Sequence, residues 1–152
     1  MKQNLLLILI LLMSICTGAY ASDNNPVGQV KTAIGTAHVI RGSERIKAEP
    51  GTKIFKSEAL ETGKQGSMGA VFNNNSTLSL GPETRFVLSR YEFNVLEKRA
   101  GFVGQIRRGT MVYLSGLIAK LNAGATRFET PAAVAGIKGT KLAIKVDGGD
   151  NE

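Results

Sequence analysis

This chain has one histidine, His38, one cysteine, Cys16, and no tryptophan. A single histidine excludes the multi-histidine ligand sets of catalytic zinc centres and leaves any Ser–His–acid triad with one candidate base. No Gly-x-Ser-x-Gly elbow accompanies it, since Ser115 stands in Leu114-Ser115-Gly116-Leu117 without the first glycine. Cys16 lies in the N-terminal apolar region, so a chain processed after Ala21 would have neither disulfide nor thiolate chemistry. Ile15 precedes Cys16, where lipid attachment needs a small residue. With three tyrosines and no tryptophan there is little aromatic surface for stacking sugars. Glu44, Glu49, Glu58, Glu61, Glu83, Glu92, Glu97 and Glu129 offer no pair in the apolar setting that raises a general acid's pKa. Asp147-Gly148-Gly149-Asp150-Asn151-Glu152 lacks the alternating ligands of a calcium loop and reads as a solvated acidic tail. Gly136-Ile137-Lys138-Gly139-Thr140-Lys141 has the wrong spacing and order for a phosphate-binding loop. No catalytic residue, metal or cofactor is expected, and the chain is expected not to be an enzyme.

What is present begins with an export pattern. Lys2 supplies the positive start, residues 5–13 are continuously apolar, and Ala19-Tyr20-Ala21 resembles a processing site. The expectation is a signal peptide over residues 1–21, cleaved after Ala21; an uncleaved anchor is the competing reading, which the shortness of the apolar run disfavours. Cleavage would leave the protein periplasmic or secreted and not integral to a membrane. The formal charge of +7 falls to +6 on losing Lys2. A basic cytoplasmic domain would suggest nucleic acid, but export removes that partner and leaves anionic glycans and lipids in its place.

Beyond a polar arm at residues 22–26, short apolar stretches alternate with glycine, asparagine, serine and proline. There are 18 glycines, spaced along the chain as repeated turns. Between them the pattern has period two. Met68, Ala70 and Phe72 share a face, as do Leu78 and Leu80, with an asparagine turn at residues 73–76 between them. Residues 140–146 alternate most cleanly, with Leu142, Ile144 and Val146 opposite Lys141, Ala143 and Lys145. Weaker strand candidates are residues 27–33, 36–41, 84–93, 102–106, 111–114, 126–130 and 134–137. Ser115 is placed to cap a short helix carrying Leu117, Ile118 and Leu121 on one side, stopped by Asn122 and Gly124. The expected fold is all-β, a compact roll, solenoid or sandwich of about ten short strands with one short helix, over residues 27–147. An acidic tail at residues 148–152 would follow. Lys98, Arg99, Arg107 and Arg108 make a candidate basic partner patch, at the two turns that would flank residues 102–106.

The C-terminal third carries a more specific pattern. Thr130-Pro131, followed by Gly136-Ile137-Lys138-Gly139-Thr140, resembles the Thr-Pro…Gly-(Val/Ile)-(Arg/Lys)-Gly-Thr signature of the FecR-domain family. Leu60-Glu61-Thr62-Gly63 and Asn75-Ser76-Thr77-Leu78-Ser79-Leu80-Gly81 are similar to two earlier segments of that family, in the same order. The resemblance implies a β-rich, non-catalytic periplasmic domain of the kind that receives a signal from an outer-membrane receptor and passes it toward a sigma factor. It implies that the signature residues shape turns and strand starts; the residues themselves already place a bend at Gly139. The chain shows no sigma-binding region, which separates it from complete regulators. An envelope protein is thus the first expected partner, and an envelope polyanion such as peptidoglycan or lipopolysaccharide the alternative.

Overall fold

The computed structural model describes residues 25–148. The expected signal peptide with its cleavage point after Ala21, the start of the expected polar arm and the expected acidic tail beyond Gly148 lie outside the described residues. Within them the protein is all-β. Twelve strands form one curled sheet: β1 (Gly28–Ile34), β2 (Ala37–Arg41), β3 (Glu44–Lys47), β4 (Lys53–Ile54), β5 (Ala59–Thr62), β6 (Ser67–Phe72), β7 (Thr77–Leu80), β8 (Arg85–Asn94), β9 (Arg99–Leu114), β10 (Thr126–Glu129), β11 (Val134–Gly136) and β12 (Lys141–Val146). One short helix, α1 (Leu117–Leu121), joins β9 to β10.

The topology is an antiparallel meander folded across its middle. β7 and β8 follow one another along a single edge of β9, Thr77 to Leu80 opposite Leu114 to Met111 and Arg85 to Asn94 opposite Arg108 to Arg99. β6 stands outside β7 and β5 outside β8; β1 and β2 stand outside those. Each of the four ribbons crosses from one half of the sheet to the other at a corner, and the corners stack. Gly63 N–H donates to Thr36 O at 2.9 Å, Glu83 N–H to Gly63 O at 3.0 Å and Gly81 N–H to Thr110 O at 2.9 Å. Thr84 ties the innermost corner, its Oγ1 accepting the Thr110 N–H at 3.0 Å.

Strand β9 corrects the reading of residues 102–106 and 111–114 as two strands with Arg107-Arg108 at a turn between them. They form one continuous strand, and Arg107 and Arg108 lie inside its ladder. The punctuation at Gly109 is a corner: this glycine takes φ +94°, and the inward set changes from Phe102 and Ile106 before it to Met111 and Tyr113 after it. The helix differs in detail as well. Gly116 occupies the N-cap position and no side chain caps α1. Ser115 instead donates through Oγ to Gly139 O at 2.8 Å. Of the three apolar residues expected on one side, Ile118 is buried whereas Leu117 and Leu121 are exposed. The reason is local: Leu117 N–H donates to Asn74 O at 2.7 Å, and a Cβ on residue 116 would meet that oxygen at 2.1 Å, so the β6–β7 turn sets the helix position.

Both halves of the sheet bury their inward side chains in one core. Met68, Ala70 and Phe72, with Leu78 and Leu80, lie on its wall as their alternation predicts. At its centre Phe102 meets Phe72 and Tyr113 at ring-centroid distances of 5.1 Å each and Phe128 at 5.6 Å. Glu58 is buried under β2, where Arg41 forms an ion pair with it and Phe55 N–H donates to its Oε2 at 2.9 Å. Removing the guanidinium strands a carboxylate out of water. The Arg41 side chain is itself 42% exposed, so the full penalty for a broken buried pair is discounted, and Arg41→Ala should lower stability by about 2 kcal/mol. Glu58→Gln should restore much of that loss in the Arg41→Ala background, read from urea midpoints.

Candidate partner-binding site

One edge of β9 is occupied by β7 and β8. The other is shared: β10 runs parallel to it along Phe102 to Gln105, and β12 runs antiparallel along Gly109 to Leu114. Between the ends of β10 and β12, residues 106–108 have no strand partner on that edge among the described residues. Two open grooves flank the gap. One, of about 220 Å³, is lined by Ile106 and Arg107 with Glu129, Thr130 and Pro131. The other, of about 370 Å³, is lined by Arg108 and Thr110 with Lys145 and Asp147, and by Pro82 and Glu83.

Of the residues that carry the resemblance, Thr130 and Pro131 line the first groove, and residues 136–140 lead into β12. Thr130 and Pro131 close the β10–β11 hairpin: Thr130 Oγ1 accepts the Ala133 N–H at 2.9 Å and Thr130 N–H donates to Ala133 O at 2.8 Å. A threonine side chain that captures a backbone amide in this way stabilises the turn locally. Ile137 is buried, with its N–H on Thr126 O at 3.1 Å. Ser115 receives the segment that enters β12, donating its N–H to Thr140 O at 2.8 Å and its hydroxyl to Gly139 O. Lys138 is exposed between them. The chain bends at Gly139, but that glycine keeps an ordinary φ, and a Cβ there or at Gly136 would meet nothing within 4 Å. Neither glycine is required by the fold.

The four residues of the candidate basic patch are not brought together. Lys98 sits at the β8–β9 turn with φ +52° and Arg99 is paired with Glu97, whereas Arg107 and Arg108 lie eight or nine residues further along β9, about 26 Å away. Arg107 instead joins a different basic set on the outward face of the β3–β2–β5–β8–β9–β10 half. Arg45 and Arg85 both pair with Glu61, Arg127 pairs with Glu129, and Arg107 donates to Gln105 Oε1 at 3.1 Å. Arg45, Arg85 and Arg127 were not singled out in the sequence. The signal that would have found them is the outward parity they share with Glu61 and Glu129 once the register is known.

His38 sits on the same face between Lys47 and Glu61. Its Nδ1 is buried without a hydrogen-bond partner. Desolvation, reinforced by the Arg45 guanidinium, lowers its pKa below 6.5. The unfolded chain therefore binds this proton more tightly than the folded one, and the contribution of neutral His38 is lost as the pH falls through 6.5 toward the folded value. Urea midpoints at pH 7.5 and 5.5 should separate more for the natural chain than for a His38→Gln variant. Deeper in the core, burial pushes the Tyr91 phenol up to about 12, although it accepts the Asn74 N–H at 3.0 Å. Burial likewise raises Tyr113, whose hydroxyl lies near Ser76, Thr126 and Asn74 without meeting any of them at hydrogen-bonding geometry.

Among the described residues no group of three or more His, Cys, Asp or Glu side chains is placed to hold a metal ion. No helix among them is long and apolar enough to cross a membrane. A scan against protein-family models, a search of curated proteins and a search of solved structures each found no match.

Proposed function

We propose that this chain is an exported, non-catalytic FecR-like domain that serves as a periplasmic protein-binding and regulatory module in envelope signalling. The observation that supports this best is where the signature residues lie. Thr130 and Pro131 line one of the two grooves beside the β9 gap, and the 136–140 segment leads into β12, the strand that borders the other. The same region carries Val134, an apolar side chain 64% exposed at the sheet edge. Val134 belongs to β11, which pairs with β10 beside the first groove, and it is the position from which a contact there can be probed.

A photo-crosslinking residue placed at position 134 of the protein, expressed in its host, tests the proposal. It should trap one envelope protein, while the same residue at position 51, on an exposed turn of the opposite edge, should not. Trapping at both positions, or at neither, counts against a specific partner, and unprocessed product in the cytosol counts against export. A second reading has one observation in its favour. The outward set Arg45, Arg85, Arg107 and Arg127 outnumbers Glu61 and Glu129, and such a face suits an envelope polyanion. It predicts cosedimentation with peptidoglycan or lipopolysaccharide and release by moderate salt, because exposed charges are screened over about 8 Å at physiological ionic strength.

A further inference from the structure

Strand β12 pairs with β9 alone among the described residues, so its second edge is open along Lys141 to Val146. The ladder decides which backbone groups that edge presents. Ser115 N–H donates to Thr140 O, and this register runs on through Tyr113 opposite Leu142 and Met111 opposite Ile144. The residues bonded to β9 are therefore Thr140, Leu142, Ile144 and Val146, since an antiparallel pair exchanges its bonds at every second residue. The N–H and C=O groups of Lys141, Ala143 and Lys145 point the other way, to the open edge.

The side chains follow the same division. Leu142, Ile144 and Val146 pack against the core and are only partly buried, so the core is still open on their flank. Lys141, Ala143 and Lys145 are exposed on the outward face, beside Leu114, Val112 and Thr110 of β9. A strand laid along this edge would meet positive charge at two positions four residues apart, a small apolar site midway between them, and an unfinished core on its other face. We infer that β12 is a strand-addition site for an extended segment of a partner protein that carries two carboxylates four residues apart with apolar residues between them. The inference rests on the protein-binding reading above, to which it gives a surface and a partner chemistry.

Charge decides between an acidic strand and a second copy of this chain. Antiparallel self-pairing about Ala143 sets Lys141 opposite Lys145 twice, and like charges directly opposite are destabilising. Lysines on an edge strand commonly act as guards against such association. Here the same two charges that repel a copy attract an acidic segment. Glu83 lines the same groove as Lys145, and Lys145 Nζ lies 2.9 Å from Asp147 Oδ1. That pair is highly exposed on both sides and competes weakly. Main-chain bonds would supply affinity and the alternate side chains specificity, as in other strand additions.

A capped nine-residue peptide containing Glu-Val-Val-Val-Glu is the probe, titrated into the protein and followed through its amide resonances. It should perturb Lys141, Ala143 and Lys145 first, and the same peptide with both Glu replaced by Lys should not bind. N-methylation of the three central amides should weaken binding about tenfold or more, since it removes edge hydrogen bonds and leaves the charge. Ala143→Pro should weaken it to a similar extent, because proline removes an N–H that β9 does not use and is tolerated on an outward edge. The double variant Lys141→Glu with Lys145→Glu should exchange the preference for that of the Lys peptide, which keeps the test decisive if Ala143→Pro unfolds. No binding of the acidic peptide, equal binding of the N-methylated one, or a concentration-dependent dimer through β12 would overturn the inference. Crosslinking at position 134 with no peptide binding would reject the edge alone; peptide binding with no crosslinked envelope protein would reject the envelope partner and leave the edge standing.

Discussion

Gly109→Ala should destabilise the protein by about 4 kcal/mol, shifting the urea midpoint far enough that little folded protein remains in moderate denaturant. Two separate effects add at this position. The residue holds φ +94°, a conformation L side chains rarely adopt. An added Cβ would also stand 2.4 Å from Thr84 Cα and 2.3 Å from Thr84 Oγ1, and Thr84 is not free to retreat. Its hydroxyl donates to Thr110 O at 3.1 Å and accepts the Thr110 N–H, while its own N–H donates to Thr62 Oγ1 at 3.0 Å. Relieving the clash therefore loosens the stacked corners through which the ribbons change halves. Gly136→Ala and Gly139→Ala supply the contrast. Both glycines have ordinary φ and open space where the Cβ would go, so each variant should stay within about 0.5 kcal/mol of the natural chain. If Gly139→Ala keeps its stability but loses partner binding, the signature glycine serves the contact and not the fold.

The same comparison shows which physical signals a sequence carries. Local ones were legible. The alternation of Met68, Ala70 and Phe72 with Leu78 and Leu80 predicts two strands sharing a buried face, and Asn75 makes the turn between them with φ +61°. The alternation over β12 is equally plain, because six residues are enough to establish period two. The corners were not legible, since they depend on pairings between segments far apart in the chain. Gly109 looks like any other turn glycine until Thr84 is known to sit against it. Edge strands β3 and β4 were missed for another reason: each has a single inward apolar residue, Ile46 and Ile54, and one residue cannot show a period. The candidate site divides in the same way. The turn formed by Thr130 is written locally, in a threonine followed by proline. The grooves exist because β10 and β12 stop short of one another on β9, a fact of register that composition does not contain.

Phe102→Ala should remove about 4 kcal/mol, a large part of the 5–15 kcal/mol that holds a domain of this size together. Phe102 is fully buried and contacts rings from both halves of the folded sheet: Phe72 on β6, Tyr91 on β8, Tyr113 on the far end of β9 and Phe128 on β10. The space vacated by Phe102 lies between walls whose spacing is set by the corners, and the collapse that reduces such losses is blocked. Phe102→Leu should recover about half of the deficit, because leucine refills volume without restoring the edge-to-face contacts. The variant also tests whether the two halves unfold together. If they are one cooperative unit, hydrogen exchange in β1 and in β2 should accelerate by the same factor in Phe102→Ala. Acceleration confined to one of those strands would mean that the folded meander is two half-sheets joined at their corners, each with its own stability.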